Sequence, residues 1–210
     1  SSSSSTTTTT DQQRQKKVTQ IFSTAAATGV LTNDLKSLMF GASDHLGISA
    51  EPVDDNIYDW RVKLFNFAQG THMAEDMAQI KKLYGYGDVE LRIEFALDLF
   101  PFYPPTVRVV RPRFVGFMMG RVTSMDILKL QGWDPIKNMT EVLQLIRKLL
   151  EDHGKVDVNN PMNDPLQHPT GSYTELEFHL LRLELLCETP ARVHAKYPEL
   201  SPVTSPSTSA

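Results

Sequence analysis

The sequence predicts an α+β domain in which one helix is followed by a four-stranded antiparallel meander and then by C-terminal helices. Apolar residues recur at helical spacing before and after a central region, and within that region four short runs alternate apolar and polar residues. The first pattern is typical of helices that bury one face, and the second of half-buried strands. Because the four runs follow one another, we expect neighbouring strands to pair, with the helices packed on one face of the sheet.

The first helix is predicted from an apolar stripe at i, i+4, i+7 and i+8, and it should end near Gly41. This stripe consists of Leu31, Leu35, Leu38 and Met39. The four strands are expected over residues 47–52, 60–67, 89–97 and 106–110. Residues 68–88, between the second and third strands, are long for a hairpin connection and contain Gly85-Tyr86-Gly87. They are therefore expected to form a mobile or inserted surface loop.

Two C-terminal helices follow. The first should begin after Asn138, which is a good N-cap residue with Glu141 three positions later. Its apolar stripe consists of Met139, Val142, Leu143, Ile146, Leu149 and Leu150. The second is expected over residues 173–187, with its apolar face formed by Leu176, Leu180, Leu183 and either Leu186 or Cys187. Residues 151–169 lie between them and are rich in turn residues, which predicts an extended surface segment.

The predicted domain spans residues 18–200 and lies between two ends of low complexity. Residues 1–10 contain only Ser and Thr, residues 11–17 are polar or charged, and residues 201–210 are mostly Ser, Thr and Pro. Such segments have too few apolar side chains to offset the entropy that they lose on ordering. We therefore expect a disordered Ser/Thr-rich arm over 1–17 and a disordered tail over 201–210.

The net charge and the cysteine content restrict the function classes. A net charge of −4 argues against sequence-independent nucleic-acid binding, and no apolar run is long enough to span a bilayer. The lone Cys187 excludes an internal disulfide and fits a reducing compartment, so we expect a cytoplasmic or nuclear protein. No His, Cys or Asp set has metal-ligand spacing, and Gly85 and Gly87 lack the third glycine of a dinucleotide site. We therefore expect no metal and no cofactor.

The segment from Leu99 to Pro135 contains several motifs that together resemble one family. A proline-bounded turn over 100–105 precedes a strand, after which we expect an exposed loop. This loop ends at Met125-Asp126-Ile127-Leu128. A turn then follows, Gly132-Trp133-Asp134-Pro135, and leads into a helix. In this order the motifs are similar to the core of ubiquitin-conjugating enzymes. Other stretches, over 58–64, 105–110 and 130–133, are similar to the Q-type subfamily. The resemblance covers about residues 31–170 and implies the ubiquitin-conjugating-enzyme fold.

The resemblance also identifies the position of the family's catalytic residue. In the family, a cysteine immediately before the Met125 motif carries ubiquitin as a thioester, whereas this sequence has Ser124 there. A thiol is intrinsically nucleophilic, but a serine hydroxyl needs an adjacent general base. No histidine is near Ser124 in the sequence, so His153, His168 or His179 would have to fold onto it. Cys187 is expected to be a buried structural residue and not a substitute nucleophile.

The resemblance implies further site residues. Phe102, Pro135 and Ile136 match positions that dock ubiquitin ligases in the family, and Lys36 lies on the matching face of the first helix, which the activating enzyme also touches. Asp164 resembles the acidic residue that approaches the attacking lysine, although an Asp before a proline also forms turns. Trp133 is expected to be a core anchor. A final cluster, formed by Arg108, Arg111, Arg113 and Arg121, could bind an acidic partner or be a solvated strand face.

Two function hypotheses follow. In the first, the protein is a catalytically inactive variant that binds ubiquitin or a ubiquitin-like protein, an active conjugating enzyme or a ubiquitin ligase. In the second, it is an active ubiquitin-conjugating transferase that accepts ubiquitin from an activating enzyme, and Ser124 replaces its cysteine. A third hypothesis is a related α+β interaction domain without a link to ubiquitin.

Overall fold

The computed structural model describes residues 25, 27–40 and 43–187. The predicted arm over 1–17, the tail over 201–210 and the outer limits of the predicted domain lie outside them, as does Gly41, the predicted end of the first helix. Helix α1 covers residues 27–40. The other elements are α2 (Ser43–Leu46), β1 (Ile48–Val53), β2 (Asn56–Leu64), α3 (His72–Tyr84), β3 (Val89–Glu94), β4 (Thr106–Arg111), α4 (Met118–Thr123), α5 (Met139–His153) and α6 (Glu175–Cys187).

The four strands form one antiparallel sheet in the order β1-β2-β3-β4, so the predicted meander is confirmed. Strand β2 covers Asn56–Leu64 and not 60–67. The reason is a tight turn in which Asp54 and Asp55 both adopt positive φ, so pairing with β1 resumes immediately after it. Asn66, with φ 54, then bends the chain away beyond the end of the strand.

Helices α1 and α5 bury the faces that their apolar stripes predict. In α1, Leu31, Leu35 and Leu38 are buried, whereas Met39 at the end of the stripe is exposed. Of the six apolar side chains in the α5 stripe, only Leu149 is not fully buried. The Asn138 side chain accepts a hydrogen bond of 2.9 Å from the Glu141 N–H, which confirms the predicted N-cap.

The prediction of a surface loop over residues 68–88 is wrong, because most of this segment forms helix α3. The Thr71 hydroxyl accepts the Ala74 N–H at 3.2 Å and caps the helix, which ends at Gly85 in the left-handed conformation. Met73, Met77 and Ile80 are buried on one face, at i, i+4 and i+7. These contacts make α3 part of the core.

The predicted apolar face of α6 is also wrong. Leu176, Leu180 and Leu183 are exposed, and the helix instead buries Phe178 and Leu181. Leucines occur on every side of this helix, so their spacing does not identify the buried face. The side chains of Leu186 and Cys187 lie outside the described part of the chain, and the buried role of Cys187 stays a prediction.

Candidate functional site

Ser124 lies at the C-terminal end of α4, a short helix that the sequence did not predict. The expected exposed loop before Ser124 is wrong for residues 118–123, because Met118, Met119 and Val122 are buried. Gly120 allows this packing, since a Cβ at this position would clash with the Phe117 ring. Ser124 is therefore fixed to the core by a buried turn of helix.

Among the described residues, no base is hydrogen-bonded to the Ser124 hydroxyl. Its backbone N–H donates to the Gly120 carbonyl at 2.9 Å, and the residue is half-buried. No hydrogen bond joins Ser124 Oγ to any side chain in residues 27–40 or 43–187, and this includes His153, His168 and His179. The neighbouring Thr123 Oγ1 is bound instead, and donates to Met119 O at 2.9 Å and Val107 O at 3.3 Å.

The two turns that carry the predicted docking residues are joined. Trp133 Nε1 donates to Pro101 O at 2.6 Å, and the Trp133 and Phe100 rings lie 6.2 Å apart between centroids. Trp133 is buried, which confirms its predicted role as a core anchor. Phe102 on one turn is 64% exposed, and Ile136 on the other is 92% exposed. Pro135 beside Ile136 is exposed as well.

Helix α1 is held beside the second of these turns. Asp34 Oδ2 accepts the N–H of Met139, the first residue of α5, at 2.8 Å. Burial raises the pKa of the Asp34 carboxyl, whereas this hydrogen bond lowers it. Lys36 is exposed on the same helix. The structure thus fixes the helix that carries Lys36 to the segment that directly follows Ile136.

Asp164 has the turn-forming role that its sequence context also allowed. Its carboxylate accepts the Leu166 N–H at 2.9 Å and the Gln167 side-chain amide at 3.1 Å. It directly follows a short 3₁₀ helix, Pro161–Asn163. In the part of the chain that the structure describes, no hydrogen bond connects Asp164 to Ser124.

Asn163 is a buried polar residue that the sequence analysis missed. It is 2% exposed, and its side-chain oxygen accepts the Arg113 N–H at 2.7 Å and the Ser172 hydroxyl at 3.0 Å. Its side-chain nitrogen donates to Asp157 O at 2.7 Å. These bonds fix the segment that carries Asp164. Within a run of turn-forming residues, an asparagine gave no signal for such a role.

The predicted arginine cluster is divided between different sites. Arg113 pairs with Glu177 at 2.7 Å and lies over the Tyr173 ring, so it anchors α6 to the segment after β4. Arg121 is on α4. Only Arg108 and Arg111 project from β4 into a common cavity, which lies on the outer face of the sheet.

Two further features of the described residues concern metals and membranes. In residues 27–40 and 43–187, no group of three or more His, Cys, Asp or Glu side chains is arranged to hold a metal ion. No helix in the same residues combines the length and the apolar character needed to cross a bilayer.

The chain is similar in sequence to several ubiquitin-conjugating proteins, although no family model matches it. It is 32% identical to human and mouse ubiquitin-conjugating enzyme E2 Q1 over 133 residues, which cover 62% of this chain and 31% of that protein. It is 30% identical over 112 residues to a shorter human and mouse protein that is named as similar to the Q-type enzymes, covering 52% of this chain and 66% of that protein.

A further relative is a probable ubiquitin-conjugating enzyme of Acanthamoeba polyphaga mimivirus, which is 27% identical over 151 residues that cover 70% of this chain. The chain spans 10% of the length of that viral protein and 31% of E2 Q1. Among solved structures, a Plasmodium falciparum ubiquitin-conjugating enzyme superposes with a TM-score of 0.43 and 16% sequence identity, covering 58% of this chain and 80% of that one. The Q-type relatives, together with the four-stranded meander and its flanking helices, confirm the predicted ubiquitin-conjugating-enzyme fold.

Proposed function

We propose, from the premise that this chain is a homologue of the Q-type ubiquitin-conjugating enzymes, that it acts in the ubiquitin pathway as a catalytically inactive binding protein. Ser124 carries the proposal. A serine hydroxyl stays protonated at neutral pH unless a base removes its proton, and no described base contacts this one. Ser124 therefore does not supply the thiol that thioester formation requires.

The exposed surface around Phe102 and Ile136 supports a binding role. Both side chains are apolar and largely solvent-exposed, and Leu97, Leu99 and Tyr103 add exposed apolar area near Phe102 in the chain. An exposed apolar patch of this kind marks protein interaction sites. The buried Trp133 fixes the two turns, so the surface is formed before a partner binds.

The partners in this proposal are a ubiquitin ligase, ubiquitin or a ubiquitin-like protein, or an active conjugating enzyme. The ligase docks on the turns of Phe102 and Ile136, and Lys36 on α1 extends the contact. We place the protein in the cytoplasm or the nucleus.

A second function is favoured by the intact surroundings of Ser124. The buried helix α4 and the anchored Thr123 hydroxyl hold this position rigidly. Gly132 is also required nearby, since a Cβ there would clash with the Asp126 carbonyl oxygen. Such a scaffold suits an active conjugating enzyme in which Ser124 replaces the cysteine and Asp164 acts near the attacking lysine.

The binding role is tested by NMR titration of the labelled full chain with ubiquitin and with the RING domains of ubiquitin ligases. We expect the signals of Phe102, Ile136 and neighbouring residues to shift. Phe102→Ala and Ile136→Ala should each weaken ligase binding about tenfold or more, because exposed anchors at the centre of an interface dominate affinity. Leu83→Ala, at an exposed position on α3, is the matched control. Equal affinity of all three variants would contradict this docking site.

A further inference from the structure

The outer face of the sheet carries a row of three arginines that the proposed function does not use. Arg61 on β2 pairs directly with Arg92 on β3, and Arg92 pairs directly with Arg108 on β4. In the adjacent row, Lys63 and Arg111 lie on either side of Glu90. Like charges in directly opposite positions destabilise a sheet, so this arrangement requires anions to offset the repulsion.

The chain supplies some of these anions itself. Arg61 pairs with Glu51 at 3.0 Å and with Glu90 at 3.4 Å. Arg92 pairs with Asp59. The carboxylates of Glu51 and Asp59 thus satisfy the two arginines nearest to β1.

Cations from both rows line a cavity of about 530 Å³. Five basic residues and three carboxylates, those of Asp88, Glu90 and Glu175, contribute to its wall. The basic residues are Arg61, Lys63, Arg92, Arg108 and Arg111. Arg61 and Arg92 also pair with Glu51 and Asp59, which lie outside the cavity. The other three cations, Lys63, Arg108 and Arg111, share the cavity with the three carboxylates.

These three cations have hydrogen-bond donors that the described residues leave unused. Lys63 forms no ion pair within residues 27–40 and 43–187. The Arg111 Nε is buried without an aligned hydrogen bond, although Glu90 lies 3.1 Å away. The Arg108 side chain is 11% exposed and pairs with Glu175 at 3.2 Å. A guanidinium offers five N–H donors, so Arg108 and Arg111 retain donors beyond these contacts.

We propose that this cavity is a binding site for the phosphoryl group of a phosphorylated peptide, held by Lys63, Arg108 and Arg111. A phosphoryl group has three terminal oxygens and can accept hydrogen bonds from three separate cations, whereas a carboxylate has only two oxygens. Its charge of about −2 also complements Lys63, which forms no ion pair among the described residues.

Glu175 occupies the place that the ligand would take. It lies in the first turn of α6, its side chain is 74% exposed, and its carboxylate bonds to Arg108 inside the cavity wall. Although Arg108 is buried, the Glu175 side chain is largely exposed and can turn into solvent, so an incoming anion can take its place on Arg108. The Glu175 carboxylate therefore acts as an internal competitor, and its removal should strengthen ligand binding.

The test uses NMR and fluorescence anisotropy on the full chain with three probes: inorganic phosphate, a degenerate pool of phosphoserine peptides, and the same pool after dephosphorylation. We expect the phosphorylated pool to bind and the dephosphorylated pool not to bind. Arg108→Gln should weaken binding about tenfold or more, since a charge-assisted hydrogen bond is lost. Glu175→Gln should tighten binding roughly two- to fivefold.

Lys82→Gln, on the exposed surface of α3, removes one positive charge outside the cavity and is the control. Weakening by Lys82→Gln as large as that by Arg108→Gln would reveal non-specific electrostatics and overturn the site. Inorganic phosphate that binds as tightly as the peptide pool would overturn the peptide as the source. Failure of the phosphorylated pool to bind either the parent chain or the Glu175→Gln variant, with both folded by NMR, would overturn the proposal as a whole.

Discussion

Ser124 and Thr123 are neighbours with the same functional group, yet the fold places their hydroxyls in different environments. Thr123 Oγ1 donates to carbonyls of both α4 and β4, whereas Ser124 Oγ has no hydrogen-bond partner in the described residues. A hydroxyl without partners contributes little to stability. This position is therefore free to accept another small side chain, which is typical of a functional position in a rigid frame.

Substitutions at these two residues should differ in their cost. Ser124→Ala should change the free energy of unfolding by less than about 0.5 kcal/mol, as surface substitutions without partners do. Thr123→Val keeps the shape of the side chain but removes the one hydroxyl proton that Met119 O and Val107 O share, and should cost about 1 kcal/mol. Urea denaturation of both variants measures the difference. If Ser124→Ala were as destabilising as Thr123→Val, the Ser124 hydroxyl would have a structural partner.

At the scale of elements, the sequence predicted helices α1 and α5 but not helix α3. The stripes of α1 and α5 are long and regular, and their buried faces match the prediction. Helix α3 has a comparable stripe, but its glycine-rich end and its position between two strands suggested a loop. Its packing depends on tertiary bonds such as that from Val156 N–H to Asp76, at 2.8 Å, which no local pattern reveals.

Core truncation in α3 tests whether this helix supports the fold. Met77→Ala should cost about 2–4 kcal/mol of unfolding free energy, because it leaves a cavity in a buried face. Leu83→Ala, at an exposed position on the same helix, should cost less than about 0.5 kcal/mol. Thermal or urea unfolding gives both values. A small loss for Met77→Ala would mean that α3 is a surface appendage.

The attachment of α6 should depend on pH through Glu177. Burial raises the pKa of this carboxyl, but the hydrogen bonds from Arg113 and Thr174 outweigh burial and lower the pKa below its usual 4.5. A lowered pKa in the folded state means that the charged carboxylate stabilises the fold above about pH 4.5 and that this contribution is lost as the pH falls through the folded-state pKa.

Glu177→Gln should therefore destabilise the protein at pH 7 and have a smaller effect at pH 3. Urea unfolding of the parent and the variant at both pH values measures this difference. The control is Glu75→Gln, which removes a carboxylate at an exposed position in α3. A Glu177→Gln effect of equal size at both pH values would show that charge does not hold α6 to Arg113.

At the scale of the whole molecule, the order of the elements could be predicted from the sequence. The contact between the turn that carries Phe102 and the turn that carries Ile136 could not. Periodicity predicted the sheet order, and spaced motifs predicted where the turns of Phe102 and Ile136 lie in the chain. The bond from Trp133 Nε1 to Pro101 O, which joins these turns, spans 32 positions and follows only from the packed core. Likewise, Arg61, Arg92 and Arg108 form a row only once strand register is known.

The central claim is that the chain has the frame of a ubiquitin-conjugating protein without its thioester chemistry. The most direct measurement charges the Ser124→Cys variant with activating enzyme, ATP and ubiquitin, in a Cys187→Ala background that removes the other thiol. An adduct that a reductant removes on the Ser124→Cys variant alone would show that only the thiol is missing from a competent frame, which supports the second function. For the parent chain we expect no such adduct, because Ser124 offers no thiol, while the parent still binds ubiquitin or a ligase by NMR. A reductant-sensitive ubiquitin adduct on the parent chain would contradict the inactive role.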